Sequence, residues 1–207
     1  MSSTASPDTR PGRSAGTRAA ILDGAATCFA GAGYGGASMD AIAAAAGVTK
    51  PTVYAHFGSK DQLFTELLRD RLDGLDQLPV AAATTDAAIE TAIADYALQR
   101  MDVMLDETAL GLFRAASAEG IRRPDWAAAL MGSLGASEFE AWLQTASDAG
   151  LLRIDAPAEA AELFWAQLEG ALFFPAVIGM IPAPDAPTRS RVVAAAVRSF
   201  LCTHGPA

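Results

Sequence analysis

The sequence predicts an all-α protein, and three observations indicate that class. Apolar residues recur at the spacing of one helical face along the whole chain, alanine is abundant, and the sequence lacks the alternating β-branched runs that are typical of strands. With 207 residues and 51% hydrophobic content, the chain can form a sizeable core. We therefore expect a bundle of about nine helices.

The first sixty residues predict one long helix followed by two short ones. The long helix has a single apolar stripe made of Ile21, Leu22, Ala25, Cys28, Phe29 and Ala32. The glycine-rich segment 31–36 ends this helix. Ser38 is a suitable N-cap for the second helix, which Gly47 ends. Thr49 then caps a third helix, where Pro51 is tolerated because first-turn amides have no partner within the helix.

The rest of the chain predicts a fourth helix and then a larger helical region. Ser59 and Gln62 form a capping box at the start of the fourth helix, which should run to about Leu78. Five further helices are expected near residues 85–103, 106–120, 124–149, 158–179 and 187–203, with breaks at proline-rich or glycine-rich segments. The chain is thus divided into a flexible arm (1–13), a three-helix domain (14–60) and a larger helical domain (61–207).

The charge is distributed unevenly along the chain. The net charge is −9, yet residues 1–60 contain five basic and three acidic residues, which leaves 10 basic and 21 acidic residues for the remainder. An acidic body repels phosphate. Any contact with nucleic acid is therefore expected in the N-terminal part of the chain.

The pair of short helices has the pattern of a helix-turn-helix, whose second helix enters the DNA major groove. The exposed face of that helix offers hydrogen-bond donors and methyl groups that suit bases and phosphates, and Lys60 lies at a helix N-terminus, where a phosphate binds favourably. Ser38 is a cap first and a phosphate contact second. The candidate DNA-binding residues are Arg18, Ser38, Thr49, Lys50, Pro51, Thr52, Tyr54, His56 and Lys60.

Residues Thr17 to Asp70 resemble the DNA-binding region of the tetracycline-repressor-like (TetR) family. The run from Met39 to Leu63, MDAIAAAAGVTKPTVYAHFGSKDQL, follows the family pattern throughout. The resemblance implies that Lys50 and Pro51 face base edges, although Pro51 stands where the family often has a smaller or more flexible residue. It also implies phosphate contacts by Thr49, Thr52, Tyr54, His56 and Lys60. Residues 14–60 would then be the DNA-binding domain.

In the TetR family the C-terminal region forms a ligand pocket and a dimer interface, and residues 61–207 contain material for both. Aromatic and methionine side chains suit an apolar pocket. A carboxylate of Asp102, Asp106, Glu107 or Glu169 could meet a cationic ligand. Ordinary core packing and a solvated helix face are the alternatives for these residues. The candidate ligand residues are Met101, Met104, Phe113, Trp126, Trp142, Trp165, Glu169 and Phe173.

The last two predicted helices have small and apolar residues along one face. Two such helices from each subunit could form a four-helix bundle between the two copies of a homodimer. The candidate interface residues are Leu163, Gln167, Gly170, Ala171, Phe174, Val193 and Val197.

Several other classes of protein are disfavoured by the sequence. The longest apolar run, residues 170–181, contains Pro175 and is too short for a membrane span, and no apolar segment typical of a signal peptide follows the N-terminus. We therefore expect a cytoplasmic protein. Cys28 and Cys202 are expected to be buried free thiols. With only two histidines besides, no metal site is expected.

The function expected from these observations is that of a DNA-binding transcription regulator. It would bind a pseudo-palindromic double-stranded operator as a homodimer and be released by a small, largely apolar effector. The alternative is a related regulator that activates transcription or responds to a protein partner. An enzyme is not expected, because the sequence has no phosphate-binding loop, nucleophile elbow or clustered catalytic triad. No cofactor is implied.

Overall fold

The computed structural model describes residues 11–78, 80–82, 85–132 and 138–205, and all regular elements in these ranges are helical. The all-α prediction is confirmed. The helices are α1 Pro11–Gly36, α2 Met39–Ala45, α3 Lys50–Phe57, α4 Lys60–Asp76, α5 Asp86–Met104, α6 Glu107–Arg122, α7 Pro124–Met131, α8 Glu138–Asp148, α9 Pro157–Leu168, a π-helical segment Glu169–Phe173, α10 Phe174–Val177 and α11 Ala186–His204.

The helix boundaries follow the predicted pattern except at two places. The predicted helix over 124–149 is wrong, because α7 ends at Met131 with Gly132 as its C-cap and α8 starts at Glu138. Glycine is a poor helix former, and here it outweighs the apolar pattern that continues through it. At the N-terminus, α1 already begins at Pro11, inside the predicted arm, and residues 1–10 of that arm lie outside the described residues.

The run from α9 through α10 is helical without interruption, as expected for residues 158–179, but its middle is a π-helix. The Phe174 amide donates to the carbonyl of Glu169, five residues earlier, and Pro175 follows with no amide proton to donate. The π-helical segment therefore changes the helical phase between α9 and α10.

The buried apolar residues form two clusters. The first combines α1 to α4 with three residues of the later helices, Leu112, Ala115 and Leu130. The second combines α5, α8, α9, the π-helical segment, α10 and α11 with Leu75 of α4, Leu110 of α6 and the residues Leu105, Leu152 and Ile154 between helices. The N-terminal cluster is therefore completed by α6 and α7, which follow α5 in the chain.

Helix α4 contributes to both clusters. Its N-terminal half buries Leu63, Phe64, Leu67 and Leu68 in the first cluster, and its C-terminal half buries Leu75 in the second. The cap at its start is the predicted one, since the Ser59 hydroxyl accepts a hydrogen bond of 3.1 Å from the Gln62 amide. The two clusters thus meet at α4. The domain boundary expected at residue 60 stays a prediction.

The two cysteines differ from expectation. Cys28 is half-buried and Cys202 is exposed, and both are free thiols. Cys202 is exposed because the buried face of α11 consists of Val193, Ala196, Val197 and Phe200. No group of three metal-ligating side chains is found among the described residues. None of the helices in those ranges is long and apolar enough to cross a membrane.

Helices α1 and α6 approach each other closely at Gly111. A Cβ atom built on Gly111 would lie 2.8 Å from the Cβ atom and from the carbonyl oxygen of Ala30. Real Cβ atoms do not occupy such positions, so only glycine permits this contact between the N-terminal helices and the larger domain.

We predict that Gly111→Ala lowers the free energy of unfolding by about 1–3 kcal/mol, because the added methyl group must push α1 and α6 apart. Gly74→Ala is the matched control, since a Cβ atom at this helical glycine meets nothing within 4 Å. It should be neutral or stabilising by up to about 1 kcal/mol. Urea unfolding followed by circular dichroism at one protein concentration measures both. Equal stability of the two variants would contradict the close approach.

Candidate nucleic-acid interface and ligand cavity

Helices α2 and α3 form the predicted helix-turn-helix. The Ser38 hydroxyl accepts a 3.1 Å hydrogen bond from the Ala41 amide at the start of α2. The turn contains Gly47 with φ +65°, a left-handed conformation that glycine adopts without strain. Thr49 occupies the N-cap position of α3 but makes no capping bond; its hydroxyl is instead 2.8 Å from that of Thr52.

Helix α3 is buried on one face and open on the other. Val53 and Phe57 are buried in the first cluster, as the sequence predicted. The opposite face holds the remaining candidate residues, of which Thr49, Lys50, Pro51 and Tyr54 are exposed and Thr52 and His56 are half-buried. Hydroxyl, ammonium, phenol and imidazole groups are thus presented together on one outward surface.

Two basic candidates are paired with acidic neighbours inside the N-terminal domain. Lys50 Nζ is 2.8 Å from Asp40 of α2, and this contact raises the pKa of the lysine. Arg18 donates a 2.6 Å hydrogen bond to Glu66 of α4, and its guanidinium carbon is 5.3 Å from the centre of the Phe57 ring. Both pairs are solvent-exposed, so they are weak and exchangeable.

Lys60 is held more firmly than the sequence suggested. Its ammonium donates to the carbonyl oxygens of Tyr34 (2.8 Å) and Ala37 (3.1 Å) and lies 4.4 Å from the centre of the Tyr34 ring. Lys60 therefore ties the start of α4 to the end of α1 and to the connection between α1 and α2. A lysine has three donors, so one remains for a further acceptor.

Beside Lys60, Asp61 joins the N-terminal domain to the junction of α6 and α7. It accepts hydrogen bonds from the Tyr34 hydroxyl and from Arg123, whose Nη1 is 2.8 Å from Oδ1 and Nη2 3.4 Å from Oδ2. The hydrogen bond from Arg123, followed by that from Tyr34, lowers the pKa of Asp61. Burial and the neighbouring Asp61 raise the pKa of Tyr34 to about 12. At neutral pH the carboxylate is therefore ionised and the phenol protonated.

Trp126 of α7 makes the second contact with α4. Its indole Nε1 donates a 2.9 Å hydrogen bond to the hydroxyl of Thr65, and its ring stacks on Phe64 at 5.7 Å between centroids. We call Tyr34, Asp61, Thr65, Arg123 and Trp126 together the interdomain junction. Through it, α7 is bonded to the helix that follows the recognition helix α3.

A cavity of about 770 Å³ lies behind the interdomain junction, between α4, α5, α6, α7 and the π-helical segment. Five of the candidate ligand residues line it, namely Met104, Phe113, Trp126, Glu169 and Phe173. Leu68, Leu72 and Leu75 of α4 form another wall, so the cavity touches α4 directly.

Three candidate ligand residues belong to the core and not to this cavity. Met101 is fully buried within the second cluster. Trp165 packs edge-on against Tyr96, Phe139 and Phe164. Trp142 stacks on Phe139, and its Nε1 donates to the carbonyl of Ala81. Large aromatic residues fill cores as readily as they line pockets, and the sequence does not distinguish the two uses.

The candidate interface residues also divide into two groups. Leu163 and Phe174 are 58% and 52% exposed, and Gln167, Gly170 and Ala171 are exposed beside them. Val193 and Val197 are each 1% exposed and face the second cluster. The choice of these two valines is therefore corrected, because side chains that are buried in their own chain have no surface to offer a partner. The outer face of α11 presents Ala194, Ala195, Arg198 and Cys202 instead.

Sequence reasoning found Glu169 but missed two other charged residues of the cavity and the polar residues of the interdomain junction. Arg100 and Glu162 line the cavity, and Asp61 pairs with Arg123, which is 62 residues away in the chain. In the sequence, Arg123 is distinguished only by its position before Pro124. No local pattern reveals a pairing between such distant positions.

The fold and the helix-turn-helix define a DNA-binding transcription regulator. Two family models match the chain, "Bacterial regulatory proteins, tetR family" over residues 21–67 and "AefR-like transcriptional repressor, C-terminal domain" over residues 81–206. The chain belongs to the TetR family.

The named relatives are similar over a third of this chain or less. The HTH-type transcriptional repressor KstR2 of Mycolicibacterium smegmatis is 44% identical over 69 residues, which cover 33% of each chain. The curated relatives that match most strongly align over only 26% to 33% of their own lengths.

Solved structures are similar over nearly the whole chain. A TetR family transcriptional regulator from Pseudomonas syringae pv. tomato is 28% identical with a TM-score of 0.73, and the match covers 91% of this chain and 96% of that one. The Flavonoid-responsive Regulator FrrA is 28% identical with a TM-score of 0.65, over 94% of this chain and 98% of that one.

Proposed function

We propose that this protein is a homodimeric repressor that leaves a pseudo-palindromic operator when a small, largely apolar aromatic compound enters the cavity. The observation that carries this proposal is the position of Trp126. Its side chain lines the cavity and also donates a hydrogen bond to Thr65 of α4. A repressor among the relatives and a flavonoid-responsive regulator among the similar structures support the same function. Acting on chromosomal DNA, the protein would work in the cytoplasm.

The proposed DNA contacts follow from the open face of α3 and from the start of α4. Lys50 and Pro51 are exposed at the first turn of α3 and would contact base edges. To do so, Lys50 must give up its ion pair with Asp40. Arg18, Ser38, Thr49, Thr52, Tyr54, His56 and Lys60 would hold phosphates. Two symmetry-related copies would read successive major grooves about 34 to 36 Å apart, or further for a wide dimer.

The proposed dimer uses the exposed apolar face of α9 and α10 together with the outer face of α11. Leu163, Phe174 and the following Ile178 and Met180 are all more than half exposed. Contiguous apolar surface of this kind is rare on monomers and typical of interfaces. The small residues Gly170, Ala171, Ala194 and Ala195 allow the helices of two subunits to approach closely.

The proposed release runs from the cavity to the recognition helix. A ligand beside Trp126 displaces α7, and the bonds to Thr65 and Asp61 pass that displacement to the start of α4. Because Gly58 and Ser59 alone separate α3 from α4, the recognition helix moves with it. A small tilt changes the spacing of the two recognition helices, and a rigid duplex no longer fits both.

For the DNA contacts, we predict that Lys50→Ala and Pro51→Ala change which base pairs are tolerated, whereas Lys60→Met weakens binding to all sequences alike. Methionine keeps the packing on Tyr34 but removes the charge, so an equal loss on every duplex is expected from a phosphate contact. Fluorescence anisotropy on single-base variants of an inverted repeat from the flanking intergenic DNA measures both effects. Parallel losses in all three variants, or affinities that do not change with salt, would refute the assignment.

For the dimer, we predict that Leu163→Asp gives a monomer that keeps its helical circular dichroism. The substitution places a charge on a surface that is exposed in the monomer and would be buried in the dimer. Ile121→Asp is the matched control, because Ile121 is 84% exposed near the end of α6 and is not among the residues of the proposed interface. Sedimentation at micromolar concentration should show a dimer for the wild type and for the control. A dimeric Leu163→Asp protein would show that a different face is used.

For the release, we predict that a ligand of the cavity lowers operator affinity about 5- to 150-fold, and by linkage the operator lowers ligand affinity by the same factor. Thr65→Val should reduce this factor without changing ligand affinity in the absence of DNA, because Thr65 bonds Trp126 but does not line the cavity. Thr91→Val, an exposed threonine of α5, is the control.

Quenching of tryptophan fluorescence, titrated with and without operator, measures the coupling, because Trp126 lines the cavity. A compound that binds equally well in both titrations would show that the cavity does not control DNA binding.

A further inference from the structure

The cavity lining combines charged and aromatic side chains. Arg100, Glu162 and Glu169 are its charged residues, Ser117 is a further polar residue, and Phe113, Trp126, Phe173 and Phe174 supply aromatic rings. Arg100 is 9% exposed, and its guanidinium carbon is 4.8 Å from the centre of the Trp165 ring. A ligand that fills this space must therefore present both an aromatic body and a polar end.

The positions of these polar residues along α9 define their arrangement. Glu162, Trp165 and Glu169 are spaced three and four residues apart, so they follow one another on one face of the helical run. Arg100 stacks over the middle residue of this series. The positive charge of Arg100 is thus flanked by a carboxylate about one turn away in each direction.

This mixed arrangement discriminates among the polar groups that a ligand can carry. A ligand carboxylate would meet Arg100 but also the negative charges of Glu162 and Glu169. A ligand ammonium would meet the carboxylates but also the permanent positive charge of Arg100. A neutral hydroxyl avoids both repulsions, because it donates to a carboxylate and accepts from a guanidinium with the same oxygen, and hydrogen bonds to charged partners are strong.

We propose that the cavity selects aromatic compounds that carry neutral hydroxyl groups, that is phenols, over aromatic carboxylates and aromatic amines. The proposal rests on the effector role of the cavity given above and specifies the chemistry of the effector. The aromatic residues bind the ring system, whose edges and faces pack on Phe113 and Trp126, and the charged residues Arg100, Glu162 and Glu169 orient the hydroxyl. A volume of about 770 Å³ accommodates a body of two or three rings.

The test compares three compounds that share one biphenyl body: 4-phenylphenol, biphenyl-4-carboxylate and 4-phenylbenzylammonium. Tryptophan fluorescence titration of the full-length protein at neutral pH gives the three dissociation constants. We expect 4-phenylphenol to bind at least about tenfold more tightly than either charged compound, as loss of a hydrogen bond to a charged group would require.

Glutamine variants separate two reasons for weak binding of a charged ligand: repulsion by Glu162 and Glu169, and the general cost of removing an ion from water. The double variant Glu162→Gln, Glu169→Gln removes both negative charges, so biphenyl-4-carboxylate should gain at least about tenfold relative to 4-phenylphenol. Glu159→Gln, on an exposed position of α9 that does not line the cavity, is the matched control and should leave all three affinities unchanged. The single variant Glu162→Gln, at a solvent-exposed residue, should shift the same ratio in the same direction even where the double variant folds poorly.

The outcomes distinguish this inference from the proposed function. A carboxylate or ammonium compound that binds as tightly as 4-phenylphenol, or an unchanged ratio in the glutamine variants, overturns the selection for phenols alone. If none of the three compounds binds, the selection and the effector role of the cavity both fail. If 4-phenylphenol binds with the expected preference but leaves operator affinity unchanged, the selection is supported and only the release mechanism fails.

Discussion

Helix α4 is the constraint on which the rest of the structure depends, because its two halves are buried in different cores. Leu63, Phe64, Leu67 and Leu68 hold its first half among α1 to α3, and Leu75 holds its second half among the helices of the larger domain. A helix fixed at both ends cannot shift in one core without straining the other. The orientation of the recognition helix is therefore determined by the packing of the whole chain.

The contacts at the start of α4 make this constraint adjustable. Lys60 donates to the carbonyl oxygens of Tyr34, near the end of α1, and of Ala37, in the α1–α2 connection. Asp61 accepts hydrogen bonds from Tyr34 and Arg123. These are polar contacts between half-exposed groups, which exchange partners more easily than buried apolar contacts do. The apolar packing thus sets the average position of α4, and the polar contacts allow alternative positions at small cost in free energy.

The distribution of charge in the N-terminal domain has a related consequence. Arg18 and Lys50 are paired with Glu66 and Asp40, which belong to the same domain. In the proposed complex, DNA phosphates and bases replace these carboxylates, so binding exchanges one set of ionic contacts for another. Such an exchange gives specificity through geometry, and the acidic larger domain keeps non-specific contact with DNA confined to this surface.

The sequence by itself determined the helical class, the helix-turn-helix and the outward face of α3, because these follow from local spacing, caps and breaks such as Ser38, Gly47 and Ser59. Only the tertiary structure decided which aromatic residues line the cavity and which fill the core, and which face of α11 is exposed. Met101, Trp165, Val193 and Val197 have suitable chemistry for a site but lie in the second cluster. The Asp61–Arg123 pair and the position of Arg100 over Trp165 join residues more than sixty positions apart. Local patterns carry no information about such contacts, since the packing of whole helices brings them together.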